Sequence, residues 1–224
     1  MEGNALKEKN TLICFTVCSL LILAVSFIFA FDRLTWVLEV FPILIGLPIL
    51  ICTYNRFQFT TLVYGLLIVH FIILAVGGIY TYAEVPLGFW MQDWFGFERN
   101  NYDKIGHFVQ GFIPAILARE ILLRKSPMQK GKWLNFMVVS ICLAISAFYE
   151  LMEWWAAIAQ GASAEAFLGT QGYEWDAQSD MFLALIGACL SLLLLSGAHD
   201  KLLKVLPNVN EPPRGKLRGI NLSS

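Results

Sequence analysis

Six stretches of the chain read as apolar runs, at about residues 11–30, 35–53, 61–82, 104–123, 133–157 and 180–198. Each approaches or exceeds the roughly 20 residues that cross about 30 Å of hydrocarbon as a helix, and the fifth does so around two carboxylates. The pattern predicts an all-α, polytopic six-helix transmembrane bundle. Between the third and fourth runs lies EVPLGFWMQDWFGFE, Glu84 to Glu98, too short to span yet carrying Phe89, Trp90, Trp94, Phe95 and Phe97. Aromatic density of this kind suits the headgroup region and predicts a short interfacial helix on the outer side, serving as a lid or as a depth anchor. Trp36, Tyr80, Tyr82, Trp154 and Trp155 fall at the same boundary. Residues 1–206 read as a single transmembrane domain. The polar tail 207–224, PNVNEPPRGKLRGINLSS, reads as flexible and cytoplasmic.

Composition strengthens this reading: 57% of the 224 residues are hydrophobic and 15% charged, a poor balance for a water-soluble chain. The net charge of −1 gives no reason to expect a nucleic-acid partner; membrane lipids are the expected surroundings. Basic residues cluster before the first run, between the fourth and fifth (Arg124, Lys125, Lys130, Lys132), and after the sixth (Lys201, Lys204, Arg214, Lys216, Arg218), with Arg56 between the second and third. The other loops hold Arg33, Arg99 and Lys104. The positive-inside rule then puts both termini in the cytoplasm, in agreement with six spans. The first run, after Lys7 and Lys9, reads as a retained helix rather than a cleaved signal. Cys14, Cys18, Cys52, Cys142 and Cys189 all fall inside runs and read as small buried hydrophobes.

With that orientation, ionisable residues converge on the outer leaflet. Glu39 enters with the second span, Asp103, Lys104 and His107 with the fourth, Glu150 and Glu153 with the fifth, and Asp176 and Asp180 with the sixth. Helical spacing of three and four aligns three stripes: Asp103, His107, Gln110, Gly111 and Pro114; Ser146, Glu150, Glu153 and Ala157; Asp176, Asp180, Ala184, Gly187 and Ser191. Small residues let such faces approach closely. A charge at the bilayer centre costs about 2.5 to 3.5 kcal/mol on insertion scales, so these groups should face a protein interior or a wet cleft. The expectation is an outward-opening polar pocket.

Three uses of that pocket stand open. Lys104 with a carboxylate, and His107 with Glu150, serve as hydrogen-bonded glue between helices. Alternatively the pocket is catalytic, with His107, Glu150 and Glu153 as acid and base, or with a divalent metal on Asp103, His107, Asp176 and Asp180. In the third use it binds or transports a cation, proton or lipid headgroup. In the last two, Glu39, Asp103, Asp176 and Asp180 bind, and Lys104 or Gln110 holds an anionic group. Apolar inner halves, as in LALIGACLSLLLL, offer few polar steps for transport. His70, in the middle of the third span, reads as a packing residue. There is no HExxH or paired CxxC, the glycines of FLGTQGYEWD make no P-loop, and neither Ser146 nor Ser179 has the context of an activated nucleophile.

The stretches FDRLTWVLEVFP, YTYAEVPLGFW, YDKIGHFVQGFIPAILARE, AISAFYELMEWW and FLGTQGYEWDAQSDMF closely resemble the YjdF-type family of bacterial inner-membrane proteins. That resemblance implies an inner-membrane location and no particular activity. A fainter one is to VanZ-like membrane proteins: Asp103, Lys104, His107 and Phe108 match a D-K-x-x-H-F helix entry, Glu150 a following glutamate, and Asp180 with Gly187 the final motif. Ala184 stands where that pattern prefers Asn. This similarity implies a small polar or lipid-linked envelope molecule as substrate, because such proteins act in the cell envelope.

Overall fold

The computed structural model describes residues 2–160 and 171–206; the 207–224 tail and part of the glycine-containing outer loop lie outside the described residues. In chain order the helices are α1 (Glu2–Phe29), α2 (Arg33–Thr53), α3 (Thr61–Tyr80), α4 (Pro86–Phe95), α5 (Tyr102–Lys125), α6 (Lys132–Gln160) and α7 (Asp176–Leu203). A single 3-10 turn, Tyr82–Glu84, separates α3 from α4. All of these except α4 are long and apolar enough to cross a membrane, giving six candidate spans and, among the described residues, no strand. Hydrocarbon satisfies no backbone polar group, so a spanning segment must bond to itself, and helices do this.

Local chemistry sets the ends. Asp32 caps α2, its carboxylate accepting from the Thr35 backbone N–H at 2.7 Å. That bond holds the Asp32 carboxyl below the usual carboxylate range. α4 starts on Pro86, whose missing N–H costs nothing at a helix start, and stops at Gly96 in the left-handed region, φ 67°. The apolar runs underestimate every spanning helix but α3, and at the site this matters for two: α5 begins at Tyr102 and α7 at Asp176, before the expected 104 and 180. Their first turns hold Asp103 and Asp176, and carboxylates are favourable at helix N-termini. α3 stops at Tyr80 rather than 82, because Thr81 takes a positive φ of 67°.

Packing is inverted relative to a water-soluble bundle. Glu120, His199, Ser146 and Ser191 are fully buried, while Leu193 is 78% exposed on the bundle surface. Cys14, Cys52 and Cys189 are also exposed, which corrects the reading of every cysteine as buried; Cys142 alone of the five is deeply buried. A thiol on a lipid-facing surface loses little, since hydrocarbon surrounds it much as a core does. One apolar core joins α1, α2 and α3 through Phe15, Val40, Ile43 and Val63 to Ile116 of α5. A second joins α5, α6 and α7 through Ala115, Leu134, Val138, Cys142 and Ala188. α5 therefore sits between two layers.

Its contact with α7 is the closest in the bundle. A Cβ on Gly111 would strike the Ala184 carbonyl, and one on Gly187 would strike that of Phe108. The small-residue stripes thus face each other as their spacing predicts. Gly187→Ala must push two backbones apart and should lower stability by about 1–3 kcal/mol. Gly65→Ala, where the added carbon meets nothing within 4 Å, is the control and should not destabilise. Thermal unfolding of the two variants beside the wild type measures the difference.

Candidate functional site

The close α5–α7 contact brings the two acidic helix N-termini together at what we call the pocket end. Arg99, one turn before α5, donates from Nη2 to Asp103 Oδ2 at 2.9 Å and to Asp176 Oδ1 at 2.5 Å. Lys104 Nζ donates to Asp176 Oδ1 at 2.7 Å, Ser179 Oγ at 2.6 Å and Asp180 Oδ1 at 2.8 Å. An ammonium has three donors, and all three are engaged. Lys104, expected with Gln110 as an alternative to hold an anionic group, thus has its three donors turned to α7. The Tyr173 ring lies against both cations, 5.1 Å from the Arg99 guanidinium carbon and 5.5 Å from Lys104 Nζ.

Below this cluster is a cavity of about 150 Å³. Its walls carry Glu39 from α2, Asp103, His107 and Gln110 from α5, Glu153 from α6 and Asp180 from α7. The three helices that carry the stripes thus meet at one cavity, with Glu39 of α2 as a fourth contributor. Tyr82 and Tyr149 complete the walls, and His70 of α3 joins Leu74 and Pro114 in the lining. Burial holds the Tyr82 phenol well above the usual tyrosine range, Glu39 adding to that effect. Glu150 does not line the cavity but stands beside His107.

The expected His107–Glu150 bond is not made. His107 Nδ1 lies 3.6 Å from Glu150 Oε1, too far for a hydrogen bond, and both atoms are buried with no hydrogen-bond partner. His107 Nε2 is 3.9 Å from Asp180 Oδ2. Of the two helix pairs expected to be glued, the lysine pair is therefore bonded and the histidine pair is not. The expected metal set divides at Asp180: donor atoms of Asp103, Asp176 and Asp180 lie within 4.8 Å of one another, as do those of His107, Glu150 and Asp180. Arg99 and Lys104 already pair with the first group. The second group retains its unpartnered nitrogen and oxygen.

Three participants were not singled out from the sequence. Arg99 sits four residues before Asp103, an ion-pair spacing that could have been found. Tyr82 and Tyr149 had no such signal. His70, read as packing, is buried as expected but also faces the cavity.

The opposite end corrects the picture of inner halves with few polar steps. Fully buried Glu120 accepts from the Thr60 N–H at 3.0 Å, from Thr60 Oγ1 at 2.8 Å and from Arg124 Nη1 at 2.6 Å. His199 Nε2 lies 2.9 Å from Glu120 Oε2, and its Nδ1 lies 2.9 Å from Arg119 Nη1. A carboxylate only accepts and a guanidinium only donates, so the ring donates from Nε2 and accepts at Nδ1 as the neutral imidazole. Arg119 and Lys130 both reach Asp200 at 2.8 Å. This network ties the loop before α3 to α5 and α7. Arg119 and Glu120 lay inside an apolar run in plain view, and Arg124 stands four residues after Glu120, but their partners Thr60 and His199 are about 60 and 80 residues away and no local spacing joins those.

Residues 11–201 match the family model described as "Predicted membrane protein (DUF2238)". The chain is 52% identical over 184 residues to the inner membrane protein YjdF of Escherichia coli (strain K12), covering 82% of this chain and 88% of that protein. No solved structure matches at a significant level.

Proposed function

The chain belongs to the DUF2238 family as a multi-pass inner-membrane protein, and from that premise we propose that it binds an envelope lipid or lipid-linked molecule by its polar head. One observation carries this reading. Pro42, His70, Leu74 and Pro114 wall both the acidic cavity and an apolar groove of about 440 Å³. The groove runs from these residues past Leu67 and Leu117 to Phe57 and Lys125. A chamber with acidic side chains in its walls, separated from a hydrocarbon-lined groove by walls the two share, suits a molecule with a head and a chain. The same apolar groove argues against an ion path, which needs polar steps beyond His70.

The charge balance selects the head. Arg99 and Lys104 are spent on Asp103, Asp176 and Asp180, while Glu39 and Glu153 add further acids to the cavity walls. Such a chamber favours hydroxyl or amine groups over bare phosphate. His107 and Glu150 are the pair for proton exchange with the bound head, and Gln110 offers it an amide. In this reading the pocket end faces the periplasm, since basic residues crowd the other end. α4 then lies in the outer interface, with Trp90 (55% exposed) and Trp94 (69%) among the lipid headgroups.

Native mass spectrometry of the gently solubilised protein, supplied with phosphatidylethanolamine or phosphatidylglycerol, tests the reading. A near-stoichiometric adduct that prefers the amine head and disappears from folded Glu39→Gln and Leu67→Trp variants is expected. Adducts equal in wild type and both variants, or none, would overturn it.

A further inference from the structure

Two buried polar atoms at the pocket and beside it have no hydrogen-bond partner. His107 is 7% exposed, lines the cavity, and keeps Nδ1 buried without a partner; Glu150 Oε1 is buried in the same condition 3.6 Å away. Leaving such a group unsatisfied costs about 1–3 kcal/mol, and more when it is charged. A protein group does supply a partner nearby: Lys104 takes Asp180 Oδ1. Asp180 is thereby anchored by one oxygen while the other, Oδ2, faces the imidazole at 3.9 Å.

We propose that His107, Glu150 and Asp180 form a site for a borderline divalent cation of the zinc class. One donor atom from each lies within 4.8 Å of the others. With ligand bonds of about 2.0 to 2.2 Å, small side-chain rotations bring all three onto one ion. An imidazole nitrogen with two carboxylate oxygens suits zinc or manganese, whereas magnesium and calcium favour oxygen ligands throughout. Three protein ligands leave coordination positions open towards the cavity. The neighbouring acidic group on Asp103 and Asp176 is not the site, because guanidinium and ammonium already occupy its oxygens. The hydrogen bond from Lys104 holds Asp180 from outside, as partners of metal ligands commonly do.

The cation site stands whether or not a lipid occupies the groove. The experiment uses the full chain in nanodiscs, freed of any polyhistidine tag and of metal, and titrates Zn2+ with Mg2+ in parallel. One saturable Zn2+ per chain, a raised unfolding temperature with Zn2+, and no saturation by Mg2+ are expected. His107→Ala and Glu150→Gln should each weaken Zn2+ at least roughly tenfold. Glu150→Gln is nearly isosteric, so it decides the matter if His107→Ala does not fold. No saturable Zn2+ on the wild type, or equal affinity in the folded variants, would overturn the site. A lipid adduct without Zn2+ rejects the metal alone; Zn2+ without an adduct rejects the lipid reading alone.

Discussion

Glu120→Ala should lose about 3–5 kcal/mol of stability, the range seen when one partner is removed from a buried ion pair. Glu120 is the point where Thr60, Arg124 and His199 meet, and none of it is exposed. Its loss removes the carboxylate that Arg124 pairs with, leaving that guanidinium on the Gln58 carbonyl, and leaves the Thr60 N–H and His199 Nε2 without their acceptor. Glu120→Gln keeps an acceptor oxygen but no charge, so its loss should be smaller. Equilibrium unfolding in mixed micelles separates these cases. A Glu120→Ala protein within about 1 kcal/mol of wild type would mean that water reaches the network and replaces the carboxylate.

A comparable loss is expected at the other end from Lys104→Met. The substitution keeps the length of the side chain and removes the cation that bonds Asp176, Ser179 and Asp180 at once. Arg99 still reaches Asp103 and Asp176, so Asp180 is the group left most exposed to the change. We expect about 3–5 kcal/mol for the single variant, again from an uncompensated buried charge. Lys104→Met combined with Asp180→Asn removes both members of the pair. That double variant should be more stable than the sum of the two single losses implies, with a coupling of about 0.5–3 kcal/mol. Additive losses would show that Lys104 and Asp180 are independent despite their 2.8 Å separation.

Both expectations arise from charges within a bundle whose spans were legible from apolar runs alone. Hydrocarbon thickness imposes a length, backbone satisfaction imposes a helix, and neither depends on what the helix packs against. The convergence of Glu39, Asp103, His107, Glu153 and Asp180 was legible for a similar reason. Once the passes alternate in direction, depth follows from residue number, and the three-and-four spacing gives the face. Even the α5–α7 approach was written in Gly111, Ala184 and Gly187, since only small residues permit it.

Pairing was not legible. Arg99, placed in a loop, became the partner of Asp103 and Asp176, and while Lys104 was expected to meet a carboxylate, nothing in its spacing said that it would bond two on α7 at once. His107 and Glu150 were rightly made neighbours, yet their 3.6 Å separation withholds the expected bond and leaves two orphaned atoms. Besides Arg124 four residues on, Glu120 found partners on the loop before α3 and at the end of α7, distances along the chain over which periodicity carries no information. Apolar length and helical face are properties of one segment and can be read from it. Which oxygen meets which nitrogen depends on rotations and offsets of helices by an ångström or so, and only the assembled bundle determines these.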